Sequence, residues 1–82
     1  MDSRAKAQRG LALLKEAILE IIDAYPGGVT NAEIADALEI RSDYGGAQKD
    51  YLSWSVLGLL LNEKVICRTG SGRAVRYFRA RR

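Results

Sequence analysis

Residues 64–82 read KVICRTGSGRAVRYFRARR, and how this segment folds decides the architecture of the whole chain. Val65 and Ile66 in residues 65–68, and Val75, Tyr77 and Phe78 in residues 74–79, are β-branched or aromatic, which favours extended backbone. Between them Thr69-Gly70-Ser71-Gly72-Arg73 supplies the glycines of a hairpin loop. The spacing predicts two antiparallel strands, with Val75 and Tyr77 on one face and Arg76 and Phe78 on the other. Val65, Ile66 and Cys67 are all apolar, so the facing of the first strand stays open. The segment also holds seven basic side chains and no acidic one: Lys64, Arg68, Arg73, Arg76, Arg79, Arg81 and Arg82.

Upstream the pattern is helical. Leu11, Leu14, Ile18, Ile21 or Ile22, and Tyr25 recur every three or four residues, which predicts an amphipathic helix over 4–24. Pro26-Gly27-Gly28 ends it. Thr30-Asn31-Ala32-Glu33 has the form of a capping box and opens a short helix over 31–38, with Ile34 and Leu38 inward and Ala35 allowing a close neighbour. Residues 39–46 form a connection rich in turn formers. A third helix is expected over 47–62, with Gln48, Tyr51, Ser55, Gly58 and Asn62 as its polar or small stripe. Most of the rest of that helix is apolar, a wider face than one small core covers.

The composition narrows the function. Eighty-two residues make one domain. Within it, residues 1–9 are a basic arm or helix start, 64–79 the hairpin and 80–82 a basic tail. A single cysteine and no histidine exclude an internal disulfide and the multi-Cys and His zinc motifs. No cofactor is implied. Lacking a histidine base and an activated nucleophile, the chain reads as a non-enzyme, with Cys67 as a buried structural thiol. Gly70-Ser71-Gly72 reads as a hairpin tip rather than a phosphate loop. The apolar run 56–61 is too short to span a bilayer, and a cytoplasmic location is expected. The net charge of +3 conceals strong segregation. Residues 1–15 carry +3, residues 16–63 carry −7 and the last nineteen carry +7, an asymmetry that suggests a polyanionic partner.

The α-α-α-β-β order, mainly α with a small β-hairpin and an extra short strand near Val29, resembles the winged helix-turn-helix superfamily. The resemblance rests on Thr30, Glu33, Ile34, Ala35, Leu38 and Ile40 in the second helix and turn. It continues through Leu57, Leu60 and Glu63, then Val65-Ile66 and residues 73–77 in the hairpin. It covers most of the chain from Leu11 onward. It implies double-stranded DNA binding by a small transcriptional regulator. Gln48, Lys49, Tyr51 and Ser55 would then belong to the reading helix, and Arg68, Arg73, Arg76 and Arg79 to the wing. Two features depart from the pattern: a long connection before the third helix, and an acidic second helix (Glu33, Asp36, Glu39). The surplus apolar surface implies a homodimer, with Leu13 and Trp54 at its interface. A protein–protein adaptor or phage-type inhibitor, with a protein partner on the apolar helix, is the competing reading. A DNA-targeting module of a larger nuclease is a third.

Overall fold

The computed structural model describes residues 2–44 and 47–80, excluding the side chains of residues 42–48 and of Arg73. Helix α1 (Ser3–Ala24) is capped by the Asp2 carboxylate, which accepts from the Ala5 amide at 2.8 Å. Helix α2 (Asn31–Leu38) carries the anticipated capping box in full. Glu33 N donates to Thr30 Oγ1 at 3.2 Å, and Thr30 N donates to Glu33 Oε1 at 2.9 Å. A short hairpin follows, β1 (Ser42–Tyr44) against β2 (Ala47–Lys49), then helix α3 (Tyr51–Asn62). The C-terminal hairpin pairs β3 (Ile66–Thr69) with β4 (Arg76–Arg79), joined through a 3-10 turn, Gly72–Ala74. The layout is therefore three helices followed by an antiparallel hairpin, with an additional small hairpin between α2 and α3. Among the described residues no helix is long and apolar enough to cross a membrane.

That inserted hairpin corrects the reading of residues 39–49. Helix α3 begins at Tyr51 rather than Ala47, so Gln48 and Lys49 lie on β2. The physical reason is in the register. Tyr44 pairs with Ala47, leaving just Gly45-Gly46 between the strands, and a two-residue glycine pair is a strong hairpin signal.

The core is a cluster of Ile18 and Ile22 from α1, Ile34 from α2, Val56, Leu57 and Leu60 from α3, and Val29, Ile66 and Tyr77. The expected third strand is present at its minimum. Val29 and Tyr77 exchange both backbone hydrogen bonds, at 3.1 and 2.8 Å. With Ile66 facing the core, strand alternation turns Cys67 outward. Cys67 is an exposed thiol, not the buried structural one expected from its apolar neighbours. Similarly, α3 buries Ser53, Val56, Leu57 and Leu60 but leaves Leu52, Trp54 and Leu59 exposed.

Gly28 sits where the α1–α2 connection meets β4. Its φ is +97°, and a Cβ there would stand 2.7 Å from the Phe78 ring and 3.0 Å from Arg76 Cβ. Both the backbone conformation and the space demand glycine. Gly28→Ala should lower stability by about 1–3 kcal/mol, read as the shift in urea midpoint at constant m. An unchanged midpoint would mean both that the connection relaxes out of this φ and that the Phe78 ring moves aside.

Candidate nucleic-acid interface

Three elements converge on one groove. The N-terminus of α2, the exposed side of α3 and the core-facing side of the C-terminal hairpin enclose a cleft of about 570 Å³. Thr30, Asn31, Asp50, Trp54, Arg68, Val75 and Tyr77 line it. A smaller hollow of about 120 Å³, formed by Trp54, Ser55, Gly58, Leu61, Arg68 and Tyr77, shares three of these side chains.

Buried polar contacts fix the angle between the two helices. Ser53 is wholly buried, and its hydroxyl donates to Asn31 Oδ1 at 2.5 Å while lying 3.1 Å from the Asp50 carbonyl. The Asn31 amide also donates to the Asp50 carbonyl, at 3.2 Å. The first residue of α2 is thereby tied to the N-cap of α3. A buried hydroxyl requires such partners, since leaving one unpaired costs about 1–3 kcal/mol. Ser53 was not singled out from sequence. One small polar residue among apolar neighbours carries no signal until the helix phase is known.

The arginines of the C-terminal hairpin separate into two kinds. Arg76 donates to the Gly28 carbonyl at 3.3 Å and stands 3.8 Å from Glu33, while Arg79 stands 3.6 Å from Asp23. These pairs are half exposed and contribute little to stability. They do mean that the chain itself supplies carboxylates to two of its clustered arginines. Arg68 lies on β3, exposed at the groove, and its side chain makes no ion pair or hydrogen bond among the described residues. The acidity of α2 is likewise partly answered from within. Asp36 pairs with Arg41 at 2.9 Å, and Glu33 lies within the capping box and beside Arg76.

Of the other expected contact residues, Tyr51 and Ser55 are exposed on α3, and Lys49 is half-buried on β2. Gln48 and Arg73, as binding side chains, lie outside the described residues, as do Arg81 and Arg82. Leu13 is 56% exposed, on the side of α1 away from Ile18 and Ile22, and Trp54 is 61% exposed in the groove. The exposed side of α3 carries no charged side chain.

On the opposite face of the hairpin, Cys67 and Phe78 meet the end of α1 in a second cleft of about 570 Å³, with Ile22, Tyr25 and Pro26. Among the described residues no cluster of three or more metal-ligating side chains forms. The chain matches no protein-family model, no curated protein and no solved structure.

The Glu33 carboxyl is held below its ordinary value of 4.5, chiefly by the hydrogen bond from the Thr30 amide, then by the Thr30 hydroxyl and by the positive charge of Arg76. A lowered folded-state pKa contributes stability that is present above about pH 4.5 and lost as pH falls through the folded value. Thr30→Ala should cost about 1 kcal/mol at neutral pH. Glu33→Gln should flatten the stability profile below pH 4.5, measured by urea titration at several pH values. A Glu33→Gln profile that still falls as steeply as wild type would assign the acid sensitivity to other carboxylates.

Proposed function

We propose that this protein is a DNA-binding domain of winged-helix type, acting as a small transcriptional regulator with a preference for particular duplex sequences. The observation that carries the proposal is Arg68. It is an exposed guanidinium on the hairpin with no carboxylate partner among the described residues, and it shares a groove with Trp54 and Ser55 of α3. Guanidinium groups pair with phosphate oxygens in a bidentate geometry, and an arginine without an internal partner is available for one. The acid-free run of residues 64–82 surrounds it with the same sign of charge. In this reading α3 contributes Tyr51 and Ser55 toward the DNA, and β2 presents Lys49 beside the start of that helix. The role of reading-helix residues proposed for Gln48 and Lys49 thus passes to the small hairpin.

Arg68 and Arg76 should then behave differently. Each phosphate contact contributes about 0.9 to the log–log dependence of affinity on salt. Arg68→Ala should flatten that slope by about 0.9 for all duplex sequences. Arg76→Ala, which removes a half-exposed ion pair with Glu33 and a hydrogen bond to Gly28, should lower stability by no more than about 1 kcal/mol and leave most of the slope in place. Fluorescence anisotropy with random duplex DNA at several salt concentrations makes the comparison. An unchanged slope in Arg68→Ala removes the wing from the interface.

A homodimer is the second part of the proposal, supported by the apolar surface that one chain leaves uncovered. Leu13, Leu52 and Leu59 are 56%, 46% and 40% exposed, respectively. A two-fold pair would cover such surface and place two grooves on neighbouring half-sites of one duplex. Light scattering without DNA should give twice 9.0 kDa, falling to the single-chain mass in Leu13→Glu or in Leu59→Glu. A mass of 9.0 kDa for the wild-type protein at micromolar concentration defeats the dimer and leaves the DNA proposal standing. The protein-adaptor reading draws on the same uncharged side of α3, and absence of any DNA binding at low salt would favour it.

A further inference from the structure

The groove between α3 and the C-terminal hairpin brings together three chemistries that a simple phosphate grip does not require. The first is Trp54, whose indole is 61% exposed on the groove wall. The second is Arg68, a cation without an ion pair among the described residues. The third is Asp50, whose main-chain carbonyl accepts from the Asn31 amide while its carboxylate makes no cap to α3.

Asp50 and Arg68 line the same groove without an ion pair between them, a combination of one cation and one carboxylate that disfavours a second phosphate there. It suits a single nucleotide. The flat face of an indole stacks on any base, and a guanidinium takes the phosphate. A carboxylate accepts from an exocyclic amine such as N4 of cytosine. The cleft volume of about 570 Å³ falls inside the range of about 300–1,000 Å³ typical of small-molecule sites.

Gly58 adds an independent observation. It stands in the middle of α3 and lines the adjoining smaller hollow that shares Trp54, Arg68 and Tyr77 with the groove, and a Cβ there would meet nothing within 4 Å. Glycine costs about 1 kcal/mol in a helix interior relative to alanine. No packing contact requires glycine at this position, and the missing side chain leaves the α3 backbone open to a ligand beside Trp54.

We propose that this groove receives one unpaired base of DNA, stacked on Trp54, with Arg68 on its phosphate and Asp50 on an exocyclic amine. The inference rests on the DNA-binding reading above. It adds that DNA offering an unpaired base, from a single strand or a bulged duplex, binds better than a perfect duplex.

Trp54 is the sole tryptophan of the chain, so intrinsic emission reports this groove alone. The full chain is titrated with four labelled DNAs: a perfect duplex, the same duplex with a one-cytosine bulge, the same duplex with an abasic bulge, and a single strand. Anisotropy of the label reports binding, and tryptophan emission reports stacking. The expected result is quenching of Trp54 by the cytosine bulge or the single strand, and not by the abasic bulge. The quenching DNA should bind at least fivefold more tightly than the perfect duplex. Which of the two quenches more strongly identifies the source of the base.

Trp54→Ala should erase that preference while keeping affinity for the perfect duplex. Gly58→Ala should raise thermal stability yet weaken binding to the cytosine bulge. Asp50→Asn should remove discrimination between a cytosine bulge and a thymine bulge. Anisotropy showing tight binding to all the duplexes, with equal emission changes, overturns the base site and leaves DNA binding intact. No anisotropy change with any DNA at low salt overturns both. Emission that shifts with protein concentration alone would place a second copy of the chain on Trp54, and the base site would then be lost.

Discussion

Two hydrogen bonds between the main chains of Val29 and Tyr77 join the two halves of this protein. The α1–α2 connection and the last strand are far apart in sequence, and the helices have no other backbone ladder to the C-terminal hairpin among the described residues. Val29 is wholly buried, and Tyr77 is 4% exposed. The pair thus sets the hairpin against α1 and α3 as well as satisfying its own polar groups. With β4 held at this edge, Ile66 on the paired strand turns into the core, and Arg68, two residues on, faces the groove. The close approach at Gly28 follows from the same pairing, since the chain next to Val29 must pass under Phe78.

The hairpin charges show how a small domain tolerates clustered arginines. Arg76 and Arg79 find carboxylates from α2 and α1, respectively, at the periphery of the contacts that hold the hairpin in place. Their contribution is mainly to relieve repulsion, because exposed pairs stabilise by about 0–1 kcal/mol. Arg68 stands apart from both carboxylates, on the groove side of the ribbon. Of these three arginines, Arg68 is thus the one left without an ion pair among the described residues. The segregation of charge along the sequence was visible before folding; its division into paired and unpaired arginines needed the tertiary structure.

Helix α1, the capping box at Thr30 and Glu33, the strand at Val29 and the C-terminal hairpin were all legible in the sequence, because each rests on local periodicity or a short-range bond. The start of α3 was misread. Residues 47–50 continue a plausible helical wheel, and that periodicity outweighed the Gly45-Gly46 signal immediately before it. The four-residue change in helix start moved Gln48 and Lys49 onto a strand. Cys67 was misplaced for a related reason: three consecutive apolar residues give no alternation, and only the partner strand fixes which of them faces inward. The groove itself was only partly readable. Tyr51, Trp54, Ser55 and Arg68 were named from sequence. Asn31, Ser53 and Asp50 join them through contacts about twenty residues apart, which composition cannot report.

Helix α1 is longer than the core it serves. It runs from Ser3 to Ala24, yet every residue from Ser3 to Gly10 is exposed, and packing begins at Leu11. These first two turns are held by the Asp2 cap and by the ladder extending from the packed part, because an isolated helix so short is marginal in water. Local opening there exposes no apolar core and so costs far less than global unfolding. Arg4, Lys6 and Arg9 all lie within it. A protease cutting after basic residues therefore meets its easiest backbone in this overhang, and trimming back to Leu11 would leave the packed core whole.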